Sequence, residues 1–176
     1  MKIHGQPLTE KNHIVANLRR GESTYQLILG ALPMGWIEKC RVRGLLDYPE
    51  PPKKILRDGK QILRDPSTNK AAVEEDRDDP AYLEKLREIN KRINAITLAE
   101  HLKSDPSVEF EASVPETDDP ALWRAYGDQL AAELMDPETG FTDDEVDALL
   151  NRAATLACRV KFEEATKDFL QTRLSS

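Results

Sequence analysis

The chain has 176 residues and a formal net charge of −7 at pH 7; 32% of its residues are charged and 39% are hydrophobic. This length predicts one domain of ordinary size, alone or with an appendage. So few hydrophobic residues indicate an open or elongated shape, or a partner that completes the packing. No apolar run approaches the roughly 18 residues of a membrane helix and no apolar leader follows Met1, so we expect a cytosolic protein without membrane contacts.

The charge is spread unevenly along the chain. Residues 39–64 hold eight Lys and Arg against three Asp and Glu, a net charge of +5, whereas residues 65–176 hold 13 against 26, a net charge of −13. Phosphates would repel the acidic part, which argues against nucleic acid as a partner. This asymmetry has two explanations. The basic segment of one copy could contact the acidic body of another, or both segments could simply be solvated surfaces.

The first 48 residues predict a small part with mixed secondary structure. Two short apolar segments, 14–18 and 25–29, flank Gly21 and predict a pair of antiparallel strands joined by a turn. A short helix running to Leu46 is then predicted, with one side formed by Trp36, Ile37, Cys40 and Leu45.

Residues 49–78 predict a projecting arm followed by a linker. A stiff proline-rich connection, residues 49–52, leads into two short segments separated by Asp58-Gly59, a dipeptide typical of a type I′ turn and therefore of a β-hairpin. The candidate partner-binding residues of this basic hairpin are Lys53, Lys54, Arg57, Lys60 and Arg64. Residues 65–78, a turn and an acidic run, are predicted to be a flexible, solvated linker.

Residues 79–176 predict a bundle of three to four helices. Asp79-Pro80 and Asp119-Pro120 are start signals for the first two helices, and Thr142 with Glu145 forms a capping box for the third. The predicted stripe of the first helix is Tyr82, Leu86, Ile89, Ile93 and Ile96, widened by Leu98 and Leu102. The second stripe is Trp123, Tyr126, Leu130 and Leu134; the third runs from Val146 to Leu156, and Phe162 to Leu170 suggest a fourth helix. The predicted fold class is therefore α+β, mainly α.

Candidate catalytic, cofactor and metal sites are weak. Residues 136–142 superficially resemble a calcium loop, but the glycine falls at the fifth position and Asp147 stands where a bidentate glutamate belongs, so we interpret the segment as a helix-capping turn. The histidines, His4, His13 and His101, lack ligand spacing. Cys40 and Cys158 are interpreted as buried free thiols, with a disulfide or metal role as the alternative. We therefore predict no catalytic, cofactor or metal site.

Three large aromatic residues have two interpretations. Trp36, Trp123 and Tyr126 lie in predicted helices, where aromatics usually form the core. Large aromatics also dominate protein interfaces, so all three are candidate partner-binding anchors as well.

The order of motifs resembles a known family. It runs through residues 31–36 (ALPMGW), Pro49-x-Pro51-Pro52-Lys53, the Arg-Asp-Gly hairpin, Asp79-Pro80-x-Tyr82-Leu83, Leu102-x-x-Asp105-Pro106, the Trp123 helix and residues 140–146 (GFTDDEV). This order is similar to that of the tail assembly chaperones of long-tailed phages, small proteins encoded beside the tape-measure gene.

The resemblance implies a non-enzymatic role in the host cytoplasm. Proteins of this family coat the tape-measure protein and recruit tail-tube subunits, so both are implied partners. Known members are largely helical, whereas this chain has a mixed N-terminal part with an arm. The alternatives are a structural tail or neck protein whose arm interlocks neighbouring subunits, and a regulatory nucleic-acid-binding module that uses residues 39–64.

Overall fold

The computed structural model describes residues 2–3, 6–7, 13–136 and 138–156. In chain order the strands are β1 (Lys2–Ile3), β2 (Gln6–Pro7), β3 (His13–Arg20), β4 (Ser23–Gly30), β5 (Lys53–Ile55), β6 (Arg57–Asp58), β7 (Gln61–Ile62) and β8 (Val73–Glu75). The helices are α1 (Trp36–Val42), α2 (Pro80–Leu102), α3 (Pro120–Leu134) and α4 (residues 143–156). The described part of the chain is 41% helical and 20% strand, with an N-terminal antiparallel hairpin and C-terminal helices, which confirms the predicted class.

The first long element is the predicted hairpin of β3 and β4. Eight residues of each strand pair one to one, from His13 with Gly30 to Arg20 with Ser23. The loop is two residues long and begins with Gly21, whose φ of 59° favours glycine. One face of the hairpin turns inward, where Ala16 and Leu29 are buried.

Buried polar groups hold β4 on the end of α2. Nδ1 of His101 lies 2.6 Å from the carbonyl oxygen of Gly30, and since a carbonyl only accepts, Nδ1 carries the hydrogen. The amide of Ile28 donates to the carboxylate of Asp105 at 2.7 Å. Burial lowers the pKa of His101. Burial raises the pKa of Asp105, but hydrogen bonds from Ser107 and Ile28 outweigh it and the pKa is lowered. The docked hairpin is thus built around a neutral imidazole and an ionised carboxylate.

The tip of the same hairpin contacts the start of α4. Arg20 donates from Nε and Nη2 to Glu145 at 3.1 and 2.7 Å, and its guanidinium lies 5.6 Å from the ring centre of Phe141. Glu145 also completes the capping box, since its carboxylate accepts from the amide of Thr142 at 2.9 Å. Hydrogen bonding from Arg20 is the main reason that the pKa of Glu145 is lowered. One carboxylate therefore caps α4 and anchors the hairpin.

Helix α1 is shorter than predicted. It ends at Val42 instead of Leu46, and the chain then turns through Gly44, which has a φ of 61°. Trp36 and Cys40 are buried as expected, and burial raises the pKa of the Cys40 thiol. Ile37 is 62% exposed, so its predicted place on the inner side is wrong.

Helix α2 begins as predicted and is buried most deeply in its second half. The carboxylate of Asp79 accepts from the amide of Tyr82 at 2.8 Å, with Pro80 in the first turn. The predicted stripe is only half-buried at Tyr82, Leu86, Ile89 and Ile93. The buried residues of α2 all lie in its second half: Ala95, Ile96, Leu98, Ala99, His101 and Leu102. The predicted stripe is therefore the inward face of α2: its first four residues are half-buried, and Ile96, Leu98 and Leu102 are buried.

Helices α2 and α3 approach closely at a glycine. A Cβ atom at Gly127 would lie 2.2 Å from Cγ of Arg92 and 2.8 Å from Cδ1 of Ile96. Arg92 lies across this point and pairs with Asp128 at 2.8 Å. Glycine lowers the helix propensity of α3 at position 127, and the close contact with α2 explains why a glycine lies there.

The remaining predicted features of the helical part divide into three groups. The caps of α3 and α4 are confirmed, because Asp119 accepts from the amide of Ala121 and Thr142 pairs with Glu145. In residues 136–140, the Asp136 carboxylate accepts from two following amides, as in a capping turn. The helix predicted from Phe162 to Leu170, which would follow α4, lies outside the described residues, as does Cys158. Among the described residues, no helix is long and apolar enough to span a membrane.

Candidate partner-binding arm

The arm, which we define as residues 53–75, is closed at its base by a short ladder. Pro52 precedes it, and the amide of Asp76 donates to the carbonyl of Pro52 at 2.7 Å. In the stem, β5 pairs with β8, and three residue pairs are in register, including Ile55 with Val73. The arm is therefore a single insertion whose two ends meet at one point of the fold.

Beyond the stem, three ladders meet at a ring of hydrogen bonds. The amide of Leu56 donates to Ala72, that of Ala72 to Leu63, and that of Leu63 back to Leu56, at 2.9, 2.9 and 3.0 Å. The first lobe is the hairpin of β6 and β7, and the second is closed by a bridge between Arg64 and Ala71. This ring fixes the directions of the stem and both lobes without any buried side chain.

The turn of the first lobe differs from the prediction. Arg57 pairs with Ile62 and Asp58 with Gln61, so the two loop residues are Gly59 and Lys60, not Asp58 and Gly59. Gly59 has a φ of 60°, and Asn69 is the only described non-glycine residue with a positive φ. A positive φ at only the first loop residue is the pattern of a type II′ turn, not of type I′. The hairpin prediction is confirmed, but its turn type is wrong.

The second lobe is a polar turn stabilised by one carboxylate. Oδ1 of Asp65 accepts from the amide and hydroxyl of Ser67 and from the amide of Thr68, at 2.8, 2.5 and 3.0 Å. The Ser67 hydroxyl and these amides lower the pKa of Asp65. Residues 65–70 were predicted to be a turn, but the linker prediction is wrong for residues 71–75, which return to pair with the stem.

The arm exposes apolar side chains that the sequence analysis did not single out. Ile55, Ile62, Leu63 and Val73 are between 44% and 54% exposed, and no residue from 53 to 75 is buried. The β-branched and apolar composition of these segments indicated strands, but composition alone does not distinguish an exposed strand from a buried one. The arm therefore offers an unshielded apolar surface together with its charges.

Those charges are less one-sided than the sequence suggested. Lys54 pairs with Glu74 and Asp76 at 3.2 and 3.4 Å, and these contacts raise the pKa of Lys54. The returning strand thus brings acidic residues to the stem, and residues 53–76 hold six Lys and Arg against five Asp and Glu. A net positive charge remains in the distal part of the arm, where residues 57–72 hold four Lys and Arg against two Asp and Glu.

The eight predicted partner-binding residues fall into three groups. Lys54 is paired within the stem, and Arg64 donates to the carbonyl of Asn69 at 2.8 Å. In the described part of the chain, Lys53, Arg57 and Lys60 form no salt bridge, although Glu75 lies opposite Lys53 in the stem. The aromatic candidates, Trp36, Trp123 and Tyr126, are only 4% to 6% exposed and form part of the core.

The core position of the aromatics follows from their contacts. Trp123 and Tyr126 meet edge to face, with ring centres 5.4 Å apart. The guanidinium of Arg43 covers the Trp123 ring at 3.6 Å and pairs with Asp118. Arg43 is one of the basic residues of the segment 39–64, so part of that charge belongs to the body and not to the arm. Because Trp36, Trp123 and Tyr126 are buried in the core, their predicted role as partner anchors is wrong for this conformation.

Exposed apolar side chains also lie around α1, where Met34, Ile37 and Val42 are between 57% and 99% exposed. A groove of about 470 Å³ between α2 and the start of α4 is lined mainly by charged and polar side chains, including Glu84, Lys91 and Asp147. Among the described residues, no group of three or more His, Cys, Asp or Glu side chains is placed to hold a metal ion. No family model, curated protein or solved structure matches the chain.

Proposed function

We propose that this chain is a non-enzymatic interaction protein of phage tail morphogenesis, an assembly chaperone that contacts the tape-measure protein and tail-tube subunits. The motif order described above supports the family. The arm supports the mode of action, because it presents four exposed apolar residues beside Lys53, Arg57 and Lys60. Apolar area supplies affinity for an aggregation-prone partner, and the free cations select an acidic one.

The shape of the arm favours contact over catalysis. Its ring of backbone hydrogen bonds, centred on Leu56, Leu63 and Ala72, sets its form before any partner arrives. A preformed element loses less conformational freedom on binding than a disordered one. The acidic body, with residues 79–156 holding 18 Asp and Glu against seven Lys and Arg, keeps a crowded assembly soluble.

Co-expression with the tape-measure protein of the same phage tests this proposal. We expect the wild-type chain to keep that protein soluble and to co-purify with it. Leu63→Asp, on the arm, should abolish both effects, because it places a charge in the apolar surface. The matched control is Leu122→Asp: Leu122 is 49% exposed and Leu63 44%, but Leu122 lies in the first turn of α3.

Two results would contradict the proposal. One is a tape-measure protein that stays insoluble with the wild-type chain present. The other is an equal loss of binding with Leu63→Asp and Leu122→Asp, which would remove the arm from the contact.

A structural tail or neck protein is the second candidate. The self-supporting form of the arm favours it, since an interlocking element must keep its shape between subunits. Stoichiometric copies of the chain in purified virions would favour this role and exclude a chaperone that leaves after assembly. Absence of the chain from virions would favour the chaperone.

A further inference from the structure

The outer edge of β3 is a row of backbone groups that β4 does not use. In an antiparallel ladder, alternate residues direct their N–H and C=O away from the paired strand. The amide of Ile28 donates to Asp105 instead of to β3, which identifies the pair of Ile28 with Val15 as one of these positions. Asn17 and Arg19 follow at spacings of two, so their backbone groups point to the same free edge.

At Val15, Asn17 and Arg19, nothing in the described part of the chain covers this edge. The backbones of Val15, Asn17 and Arg19 make no hydrogen bond to any described residue outside the hairpin. Strands β1 and β2 pair with each other. The side chains of the same three residues are exposed.

The edge lacks two of the features by which proteins prevent strand addition, proline and a bulge, and carries one charged side chain, that of Arg19. Residues 13–20 contain no proline, and all eight pair one to one with β4 without a bulge. Long and regular edges of this kind are templates for another strand. Such an edge is a binding surface.

We propose that β3 pairs with β3 of a second copy of the chain, antiparallel and centred on Asn17, to form a four-stranded sheet across a twofold dimer. In this register Asn17 faces its own copy and Val15 faces Arg19. All three positions have their backbone groups on the free edge, so the ladder gains about six hydrogen bonds. A symmetric contact of this type closes on itself.

Charge supports a second copy as the occupant. Antiparallel pairing about Asn17 places each Arg19 opposite an aliphatic residue and keeps the two Arg19 side chains apart, whereas parallel pairing would place them side by side. Val15 and Asn17, which face Arg19 and Asn17 of the second copy in this register, carry no charge, so the two edges meet without like charges in contact.

The test is a pair of proline variants on opposite edges of the hairpin. Asn17→Pro removes an N–H that points to the free edge of β3 and spares the ladder with β4. Gln26→Pro is the matched control, because Gln26 pairs with Asn17 and its N–H points to the opposite edge of β4. Sedimentation equilibrium of the full chain, over a range of concentrations, gives the dimer dissociation constant.

We expect a wild-type dimer and a dissociation constant at least about a hundredfold higher for Asn17→Pro, since two donors are lost per dimer and each hydrogen bond is worth roughly a factor of ten. Gln26→Pro should dimerise like wild type. A monomeric wild type, an Asn17→Pro dimer of unchanged affinity, or an equal loss in both variants would overturn the proposal.

Amide exchange of the wild-type chain gives a second readout that needs no variant. We expect the amides of Asn17 and Arg19 to be protected at high concentration and to exchange faster on dilution, while the amide of Leu18, which faces β4, stays protected throughout. Fast exchange of Asn17 and Arg19 at every concentration would also overturn the proposal. Neither experiment involves the arm, so both stand apart from the test with Leu63→Asp.

Discussion

The docked hairpin of β3 and β4 and the arm are built by the same local chemistry but lie in opposite environments. Each contains a two-residue loop that starts with a glycine of positive φ, 59° at Gly21 and 60° at Gly59. The docked hairpin buries one face on α2, whereas the arm has no buried residue. Turn residues thus decide where a chain reverses, and burial alone decides whether the result is core or contact surface.

The difference lies in how the apolar residues are arranged. On β4, Leu27 and Leu29 are two residues apart and so share one face of an eight-pair ladder. In the arm, the apolar residues are divided among ladders of two or three pairs. No single face there is large enough to pack on a helix. A short ladder of this kind gains stability from a partner.

The largest expected effect separates the two regions by the same substitution. Leu29→Ala, in the docked hairpin, should lower the free energy of unfolding by about 2–5 kcal/mol, because Leu29 is fully buried and leaves a cavity. Leu63→Ala, in the arm, should change it by less than about 0.5 kcal/mol, as at other surface positions. Urea denaturation followed by tryptophan fluorescence measures both.

Equal losses from the two leucine variants would break the comparison. They would mean that the arm unfolds together with the body. An unchanged stability for Leu29→Ala would instead mean that β4 is not part of the core.

The sequence predicted the elements better than their environments. The turn at Gly21, the Asp79 and Asp119 caps and the capping box at Thr142 are local signals, and each was placed correctly. The stripe of α2 was placed on the correct face, but its deeper burial from Ala95 onward was not predicted, because the depth of burial depends on where the helix contacts the body. The return of residues 71–75 was missed because that pairing spans about twenty residues, and no local pattern encodes it.

The location of the arm in the chain was predicted, but the pairing of its charges and its exposed apolar residues were not. Residues 53–64 were identified from their charge, yet Lys54 is paired by a strand that was expected to be a linker. The exposed residues Ile55 and Val73 were not considered, since apolar residues in a strand are expected to be buried. Only the three-dimensional pairing shows that this arm is both apolar and exposed.

The two loop glycines give a smaller effect that sharpens the comparison. A Cβ atom at Gly21 or at Gly59 would meet nothing within 4 Å. Alanine at either position therefore destabilises its turn only through the positive φ, by about 1–2 kcal/mol. We expect Gly21→Ala to lower the global stability by that amount. Gly59→Ala should leave global stability unchanged and instead speed amide exchange at Leu56, Leu63 and Ala72, because the arm opens locally.

Each glycine variant serves as the control of the other, since backbone strain and free space are the same at both sites. Loss of global stability from Gly59→Ala would show that the arm and the body form one cooperative unit. Unchanged exchange in the arm would show that the turn at Gly59 does not hold the ring together.

Mild acid should loosen the docked hairpin before the arm. Burial lowers the pKa of His101 in the folded chain, so its neutral form stabilises the fold above the unfolded value of about 6.5, and this contribution is lost as pH falls below that value. The amide resonances of Ile28 and Gly30 should therefore shift or broaden as pH falls below about 6.5, while those of Leu56 and Leu63 stay unchanged. His101→Asn keeps a donor near the position of Nδ1 but does not titrate, so it should remove this step. Only at lower pH, where Asp105 and Glu145 take up protons against their lowered pKa values, should the variant lose stability like wild type. An acid transition that is the same in His101→Asn, or that begins in the arm, would show that the buried imidazole does not control docking of the hairpin.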